Sequence, residues 1–210
     1  MLPPSIPLFP LPNVVLFPNV FLPLHIFEPR YREMVADALQ GDRIIGMALL
    51  RPGYEATYEG RPAIYDVGCA GVITHSHPFP DGRYDIVLRG IEKIRITSED
   101  QSRPYRIGHV DSIPETIPAD EAKPLRQQRQ RLEAVLAAAV ERVRAEPKFP
   151  PSVPDEDLIN ALAQYLELEV VERQALLECE GVLARCRALI NLLEMKLHTP
   201  PRGWNNARVN

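Results

Sequence analysis

The stretch IPLFPLPNVVLFPNVFLPLHIFEPRYREM, residues 6–34, decides the fold of the N-terminal part. Eight of the chain's 22 prolines lie between Pro3 and Pro29, interleaved with Leu, Phe and Val. Proline lacks the amide hydrogen that a helix interior and a sheet ladder both use. We therefore predict short extended segments and turns here, with neither a long helix nor a central strand.

The same stretch is too apolar to be a disordered linker. Proline-rich linkers are polar, whereas here branched aliphatic and aromatic side chains supply enough apolar surface to form a core. The phenylalanines are expected in that core rather than on a ligand-binding surface. They are Phe9, Phe17, Phe21 and Phe27.

The rest of the N-terminal part predicts one short helix followed by strands. Pro29 suits a first helical turn, and apolar residues then recur at helical spacing as far as Gly41. From there to about Pro118 the segments are strand-like and bounded by turn residues. In RYDIVLRGIEKIRI the alternation breaks around Gly90, which predicts a bulge or bend. Because helical crossovers are missing, a small curled barrel is favoured over an open parallel sheet.

Beyond Pro118 the apolar periodicity is helical. Asp155 suits the N-cap of a helix after a proline-rich connector. A long helix is predicted from a stripe of Leu132, Val135, Leu136, Ala139, Val140 and Val143. The next helix is expected to bury Leu158, Ile159, Leu162, Tyr165 and Leu166. The last has an apolar face of Val182, Leu183, Cys186, Leu189, Ile190, Leu193 and Leu197. The fold class is therefore α+β, with a β-rich subdomain at 1–118, a helical subdomain at 119–198 and an irregular tail at 199–210.

The amino-acid composition limits which partners and which cellular compartment are expected. The formal net charge is −4 and neither half of the chain is basic, so a nucleic-acid partner is not expected. Three widely spaced cysteines without a secretory signal indicate a reducing cytoplasm. No apolar run reaches the roughly 20 residues of a membrane span, so no membrane partner is expected.

No motif of catalysis, metal binding or cofactor binding occurs in the sequence. The chain has no GxSxG elbow, no GxxxxGK[ST] or GxGxxG loop, and no CxxC or HExxH pair. His75 and His77 are expected in a polar hairpin loop, THSHPFPDG. Cys186 falls on an apolar stripe, and Cys179 lies between two glutamates that would raise the pKa of its thiol. We therefore predict no catalytic residue, no metal and no cofactor.

Several ordered motifs carry a family resemblance. The proline-punctuated turns, LHIFEPRYREM, FPDGRYDIVLRGIEKIRI and RQALLECEGVLARCRALINLLEMKL together resemble the N-terminal substrate-binding domain of Lon proteases. More closely, they resemble free-standing bacterial proteins that consist of that domain alone, in the PUA-like superfamily. The resemblance runs from about Ile6 to about Leu197. It implies a β-rich pseudo-barrel and a non-enzymatic module that binds polypeptide or unfolded segments, as an adaptor or chaperone-like factor. The ATPase and Ser-Lys protease modules of Lon have no counterpart in these residues.

The segment FEPRYRE offers candidate polypeptide-binding residues, namely Phe27, Glu28, Arg30 and Tyr31. Such a mixture of charged and aromatic side chains is typical of the edge of a peptide-binding groove. We favour a structural interpretation over this binding role. In the structural interpretation, Glu28 assists the helix start and Arg30 or Arg32 pairs with a carboxylate.

Two other classes of function stay open. A small hydrolase would use Asp66, Asp81 or Asp85 with a histidine of the His75–His77 loop, although no spacing matches a named reaction. An RNA-binding PUA-like protein would require a basic patch. That patch would be made of Arg83, Arg89, Lys93, Arg95 and Arg106. The oligomeric state is also open, and a weak homo-oligomer is one alternative.

Overall fold

The computed structural model describes residues 2–58, 60–141 and 152–198. In that part of the chain the strands come first and most of the helices follow. The strands are β1 (Ser5–Leu11), β2 (Phe21–Ile26), β3 (Ile44–Leu49), β4 (Val67–Pro78), β5 (Tyr84–Asp100) and β6 (Arg106–Ile113). The helices are α1 (Pro29–Gln40), α2 (Ala122–Glu141), α3 (Asp155–Tyr165), α4 (Val170–Glu178) and α5 (Val182–His198), with a short 3₁₀ turn at Tyr54–Thr57.

The strands form a closed barrel, as predicted. Their order is β2-β5-β4-β3-β1-β6, and β6 pairs again with β5 and so closes a ring of five strands. β5 is long enough to pair with β2 through its first half and with β6 through its second half. The neighbours are antiparallel except β1 and β3, whose parallel connection runs through β2 and α1. The α+β fold class is confirmed.

β1 corrects one prediction from the proline-rich stretch. The stretch does divide into short strands and turns, but β1 lies between β3 and β6, so it is a central strand. Its two ladders are staggered, because residues 5–8 pair with β6 and residues 8–11 pair with β3. Pro7 and Pro10 therefore each have a partner strand on one side only. The missing amide hydrogen of each proline is accommodated on the side without a partner.

The predicted bulge at Gly90 is present. Gly71 pairs with Gly90 while the preceding Ala70 pairs with Glu92, so Ile91 has no partner on β4. A methyl group on Gly90 would lie 2.0 Å from a backbone carbonyl oxygen of the β1–β2 loop. The bulge therefore brings the backbone of β5 into direct contact with that loop, which only glycine permits.

The phenylalanines divide between core and surface. Phe9 and Phe17 are buried, as expected. The prediction is wrong for Phe21 and Phe27, which are 51% and 61% exposed. Phe21 lies on the exposed face of β2, which it shares with Pro23 and His25.

The C-terminal helices bury the predicted stripes. Leu132 and Leu136 of α2 pack with the buried face of α5, which includes Cys186. Tyr165 was expected inside but is 63% exposed. Asp155 is the first residue of α3 rather than its N-cap, which is Pro154. Part of the prediction falls outside the described residues or side chains. This part comprises the stripe positions Ala139, Val140 and Val143 and the tail 199–210.

Barrel and helices share one core. Val15, Phe17, Val20 and Leu49 of the N-terminal part pack in the same cluster as α2, α3, α4 and α5. The last strand ends at Ile113 and α2 begins at Ala122. The division into subdomains at residue 118 stays a prediction. None of the helices in the described ranges combines the length and the apolar character that crossing a bilayer requires.

Candidate functional site

The start of α1 is built by Glu28 and Pro29. Pro29 occupies the first turn, and the Glu28 carbonyl accepts hydrogen bonds from the Tyr31 and Arg32 amides at 3.0 and 2.9 Å. The Glu28 carboxylate makes no capping hydrogen bond. Instead it accepts hydrogen bonds from Arg30 Nε at 3.1 Å and from the Tyr58 hydroxyl at 3.0 Å. The expected structural role of Arg30 in an ion pair is thus present, with Glu28 as the partner.

Arg30 is held between two aromatic rings. Its guanidinium carbon lies 4.7 Å from the centre of the Tyr31 ring and 5.6 Å from that of Tyr58. A guanidinium over the face of a tyrosine is attracted by the ring electrons. Tyr31 is itself buried and packs on Phe9 with ring centres 4.5 Å apart. Burial raises the pKa of Tyr31 to about 12.

These side chains form one wall of a partly open cleft of about 430 Å³. The cleft is rich in tyrosine, arginine and proline, and we call it the tyrosine–arginine groove. Its lining is Glu28, Pro29, Arg30, Tyr31, Leu50, Tyr58, Gly60, Arg61, Pro62, Pro104, Tyr105 and Arg106. The groove therefore joins the start of α1, the segment after β3 and the turn between β5 and β6.

The rest of the lining is held by hydrogen bonds to α1, to β5 and to neighbouring backbone carbonyls. The Tyr105 hydroxyl donates to Asp37 Oδ2 at 2.7 Å, and burial together with this bond raises the pKa of Tyr105 to about 12. Arg106 is buried and donates to Glu99 at 3.1 and 3.2 Å and to a backbone carbonyl at 2.6 Å. Arg61 donates to the carbonyls of residues 100 and 103, each at 3.3 Å.

The groove contains three of the four predicted polypeptide-binding residues. Glu28, Arg30 and Tyr31 line it, whereas Phe27 lies outside and stacks loosely on His25, with ring centres 6.2 Å apart. Sequence reasoning missed the rest of the groove, notably Tyr58, Arg61, Tyr105 and Arg106. No local pattern marks these residues, because they reach the groove only through the folding of distant segments.

The structure brings together only one of the pairs that the hydrolase alternative requires. Asp66 pairs with Arg51, and Asp81 pairs with Arg83. Asp85 lies opposite His77 in the β4–β5 ladder, but its carboxylate contacts His25 at 2.6 Å. The THSH segment was expected to be a loop, but Thr74, His75, Ser76 and His77 all lie in β4. The long ladder with β5 extends the strand to Pro78, so the turn begins only after it.

The described residues do not form a metal site or an activated thiol. Among the described residues, no group of three or more His, Cys, Asp or Glu is arranged to hold a metal ion. The three cysteines are free. Burial raises the pKa of each thiol, to about 11 for Cys186. A raised thiol pKa lowers the thiolate population that nucleophilic chemistry needs.

The five cations of the RNA alternative do not form one exposed patch. Lys93 is buried and donates to Glu115 at 2.9 Å and to the Cys179 carbonyl at 2.7 Å. Arg106 is buried on Glu99. The exposed members are Arg83, Arg89 and Arg95, and Arg83 is paired with Asp81. A run of phosphates would therefore meet few available cations here.

Comparison with known proteins adds to this geometry. A family model described as the ATP-dependent protease La (LON) substrate-binding domain matches residues 5–195. Lon protease 2 of Syntrophobacter fumaroxidans is 32% identical over 181 residues, which cover 84% of this chain and 22% of that protein. The Lon protease of Dictyoglomus thermophilum is 26% identical over 209 residues, which cover 93% of this chain and 25% of that protein.

Two solved structures share the fold. The N-terminal domain of Mycobacterium avium complex Lon protease aligns with a TM-score of 0.65 at 17% identity, over 90% of this chain and 98% of that one. A Lon N-terminal domain protein from Xanthomonas campestris aligns with a TM-score of 0.59 at 23% identity, over 93% of this chain and 99% of that one. At these identities the likeness shows the fold alone.

Fold and groove define an α+β protein in which a closed barrel and a helical part share one core. The chain belongs to the family of Lon substrate-binding domains, because the family model matches nearly its whole length. It spans about a quarter of the length of the curated Lon proteases described above. The expected resemblance is thereby confirmed.

Proposed function

We propose that this protein is a non-enzymatic module that binds polypeptide segments in the tyrosine–arginine groove. The observation that carries the proposal is the groove itself, a cleft of about 430 Å³ lined by three tyrosines and three arginines. Its volume lies in the range typical of ligand sites, and tyrosine and arginine are enriched where proteins bind one another. The description of the matching family as a substrate-binding domain supports the same conclusion.

Contacts within the protein fix the side chains of the groove. Glu28 holds Arg30 and Tyr58 together, and Tyr31 is packed on the core below them. Side chains that are fixed before binding lose little conformational entropy when a ligand arrives. Phe27 places an exposed ring next in sequence to the first residue of the groove, and we propose that it contacts longer segments.

We further propose that bound segments are held or handed on, as by an adaptor or chaperone-like factor, and are not cleaved. The described lining contains no serine, cysteine or histidine, and its one carboxylate, Glu28, is already shared by Arg30 and Tyr58. Hydrolysis would need an available nucleophile or base. The free cysteines support a reducing compartment, and we propose the cytoplasm.

The test is binding of fluorescein-labelled casein, an unfolded polypeptide, followed by fluorescence anisotropy. We expect saturable binding, weakened about fivefold or more by Tyr58→Ala, because truncation of an aromatic anchor in a binding site typically costs 1 kcal/mol or more. Tyr165→Ala serves as the matched control, since Tyr165 is exposed and does not line the groove.

Circular dichroism of both variants checks that they remain folded. Binding that Tyr165→Ala weakens as much as Tyr58→Ala would contradict the groove as the site. The absence of any casein binding by the unmodified protein would contradict the polypeptide-binding function. Light scattering in the same samples reports weak self-association, which stays a prediction.

A further inference from the structure

The cations of the groove differ in how they are neutralised. Arg30 has the Glu28 carboxylate, with Nη2 to Oε2 at 2.9 Å. Arg106 has the Glu99 carboxylate. Arg61 donates only to two backbone carbonyls, and no carboxylate of the described residues pairs with it. Among the described residues, Arg61 is thus the groove cation that has no carboxylate partner.

Arg61 also keeps unused hydrogen-bond donors. A guanidinium carries five N–H groups, and the two carbonyl contacts use one on each terminal nitrogen. The side chain is exposed on the wall of the groove. Its two backbone contacts restrain the guanidinium without neutralising it. Carboxylates are preferred partners of such a restrained fork, because they accept two parallel hydrogen bonds.

The same groove also carries apolar and aromatic surface. Tyr58, Leu50 and the prolines of the lining supply its rings and aliphatic groups. A ligand that complements the groove therefore combines a carboxylate with a nearby apolar or aromatic side chain. A nucleic-acid strand fits less well, because its successive phosphates need several available cations and the described lining offers one without a carboxylate partner.

We infer that the groove selects polypeptide segments that carry a carboxylate next to an apolar side chain, with Arg61 as the residue that binds the carboxylate. This inference rests on the proposed polypeptide-binding function and specifies its ligand. Two sources supply the same chemistry, namely the side chain of Asp or Glu within a segment and the free C-terminus of a chain. The experiment separates them.

The test uses four decapeptides labelled at the N-terminus with an uncharged BODIPY dye, each a Gly-Ser chain with one Phe-Leu pair near its C-terminal end. They differ in having Glu or Gln beside that pair and a free or amidated C-terminus. Affinity for the unmodified protein is measured by anisotropy. We expect the peptide with Gln and an amide to bind about fivefold more weakly than the best of the others, the worth of one well-placed ion pair. The peptide that retains affinity identifies the source of the carboxylate.

The Arg61→Gln variant should bind all four peptides alike, at the affinity of the uncharged one, while Arg187→Gln should behave as the unmodified protein. Arg187 is exposed on α5 and does not line the groove. The peptide comparison on the unmodified protein does not depend on how the variants fold. Equal binding of all four peptides while casein still binds would overturn the inference and leave the proposed function standing. The inference would also be overturned if a single-stranded oligoribonucleotide displaced the labelled peptides at a lower concentration than unlabelled peptide does. Failure of casein itself to bind would instead overturn the proposed function.

Discussion

Arg185 is a buried residue with a dense set of polar contacts. It lies on α5 with no exposed surface, and its guanidinium donates to both oxygens of Glu115 at 2.8 Å, to Asn160 at 2.8 Å and to the Leu176 carbonyl at 3.0 Å. Lys93 of β5 donates to the same carboxylate. A buried charge is tolerated only when its hydrogen bonds and its charge are both satisfied. The network therefore links the barrel to the helices, and its hydrogen bonds constrain the positions of the side chains that form it.

We expect Arg185→Ala to lower the free energy of unfolding by about 3–5 kcal/mol, because it removes the main partner of a buried carboxylate. Urea denaturation followed by circular dichroism measures the change. Arg187→Ala is the control on the same helix, and its exposed side chain should change stability by no more than about 0.5 kcal/mol. A loss below about 1 kcal/mol for Arg185→Ala would show that the network contributes specificity rather than stability.

The raised pKa of Tyr31 leads us to expect a loss of stability at alkaline pH. Burial raises its pKa from 10.0 to about 12, so between these values the unfolded chain releases a proton that the folded protein retains. The contribution is complete below pH 10 and is lost as the pH rises towards 12. In Tyr31→Phe, the fall in unfolding free energy from pH 9 to pH 12 should be smaller by on the order of 2 kcal/mol. An unchanged pH slope in urea titrations would contradict this.

Among the elements, β5 organises the barrel. It pairs with β2, β4 and β6, and it changes partners where the bulge at Gly90 interrupts its ladder with β4. The Gly90 amide donates to the Val20 carbonyl at 2.9 Å, and the Gly90 carbonyl accepts from the Asn19 amide at 3.0 Å. The bulge therefore also fixes the loop between β1 and β2, whose apolar side chains reach the helices.

Gly90→Ala is expected to destabilise the protein by roughly 2 kcal/mol or more, since its methyl group would lie 2.0 Å from a backbone oxygen and force the strand or the loop to move. Thermal unfolding measures the effect. Gly41→Ala is a matched control, because there the nearest atom lies 3.7 Å away and φ is −108°, outside the left-handed region. A variant at Gly90 as stable as the one at Gly41 would mean that the loop adapts freely.

At the scale of the whole molecule, the two sequence regions share their largest core. Val15, Phe17, Val20 and Leu49 come from the β-rich part and pack against all four C-terminal helices. Removing either region would expose this apolar surface to water, at a cost of about 25 cal/mol for each Å².

We therefore expect the protein to unfold in one cooperative step. Calorimetric and van't Hoff enthalpies should agree, and a fragment of residues 1–118 should bind a hydrophobic dye and lack a sharp thermal transition. The full chain under the same conditions is the reference. Two resolved transitions, or a fragment that melts cooperatively, would instead establish residue 118 as the border of an independent domain.

The sequence by itself determined the local elements and the fold class. Periodicity placed the buried stripes of α2 and α5, the steric demands of proline predicted a start of α1 at Pro29, and broken alternation located the bulge at Gly90. Each of these rests on residues within a few positions of one another. The same reasoning identified Glu28, Arg30 and Tyr31 of the candidate site, because they surround a helix start that the sequence pattern predicts.

Only the tertiary structure decided the rest of the groove and the interior. Tyr58 and Arg61 follow β3, whereas Tyr105 and Arg106 follow β5, and they meet α1 only because the five strands close into a ring. The central place of β1 depends on the same closure, and Phe21 is exposed because it lies on the solvent face of β2, a strand outside the ring. Sequence periodicity reports which face of an element is apolar, but contacts between distant segments depend on register and packing across the whole fold. Neither the groove nor the place of Arg61 in it could therefore be foreseen.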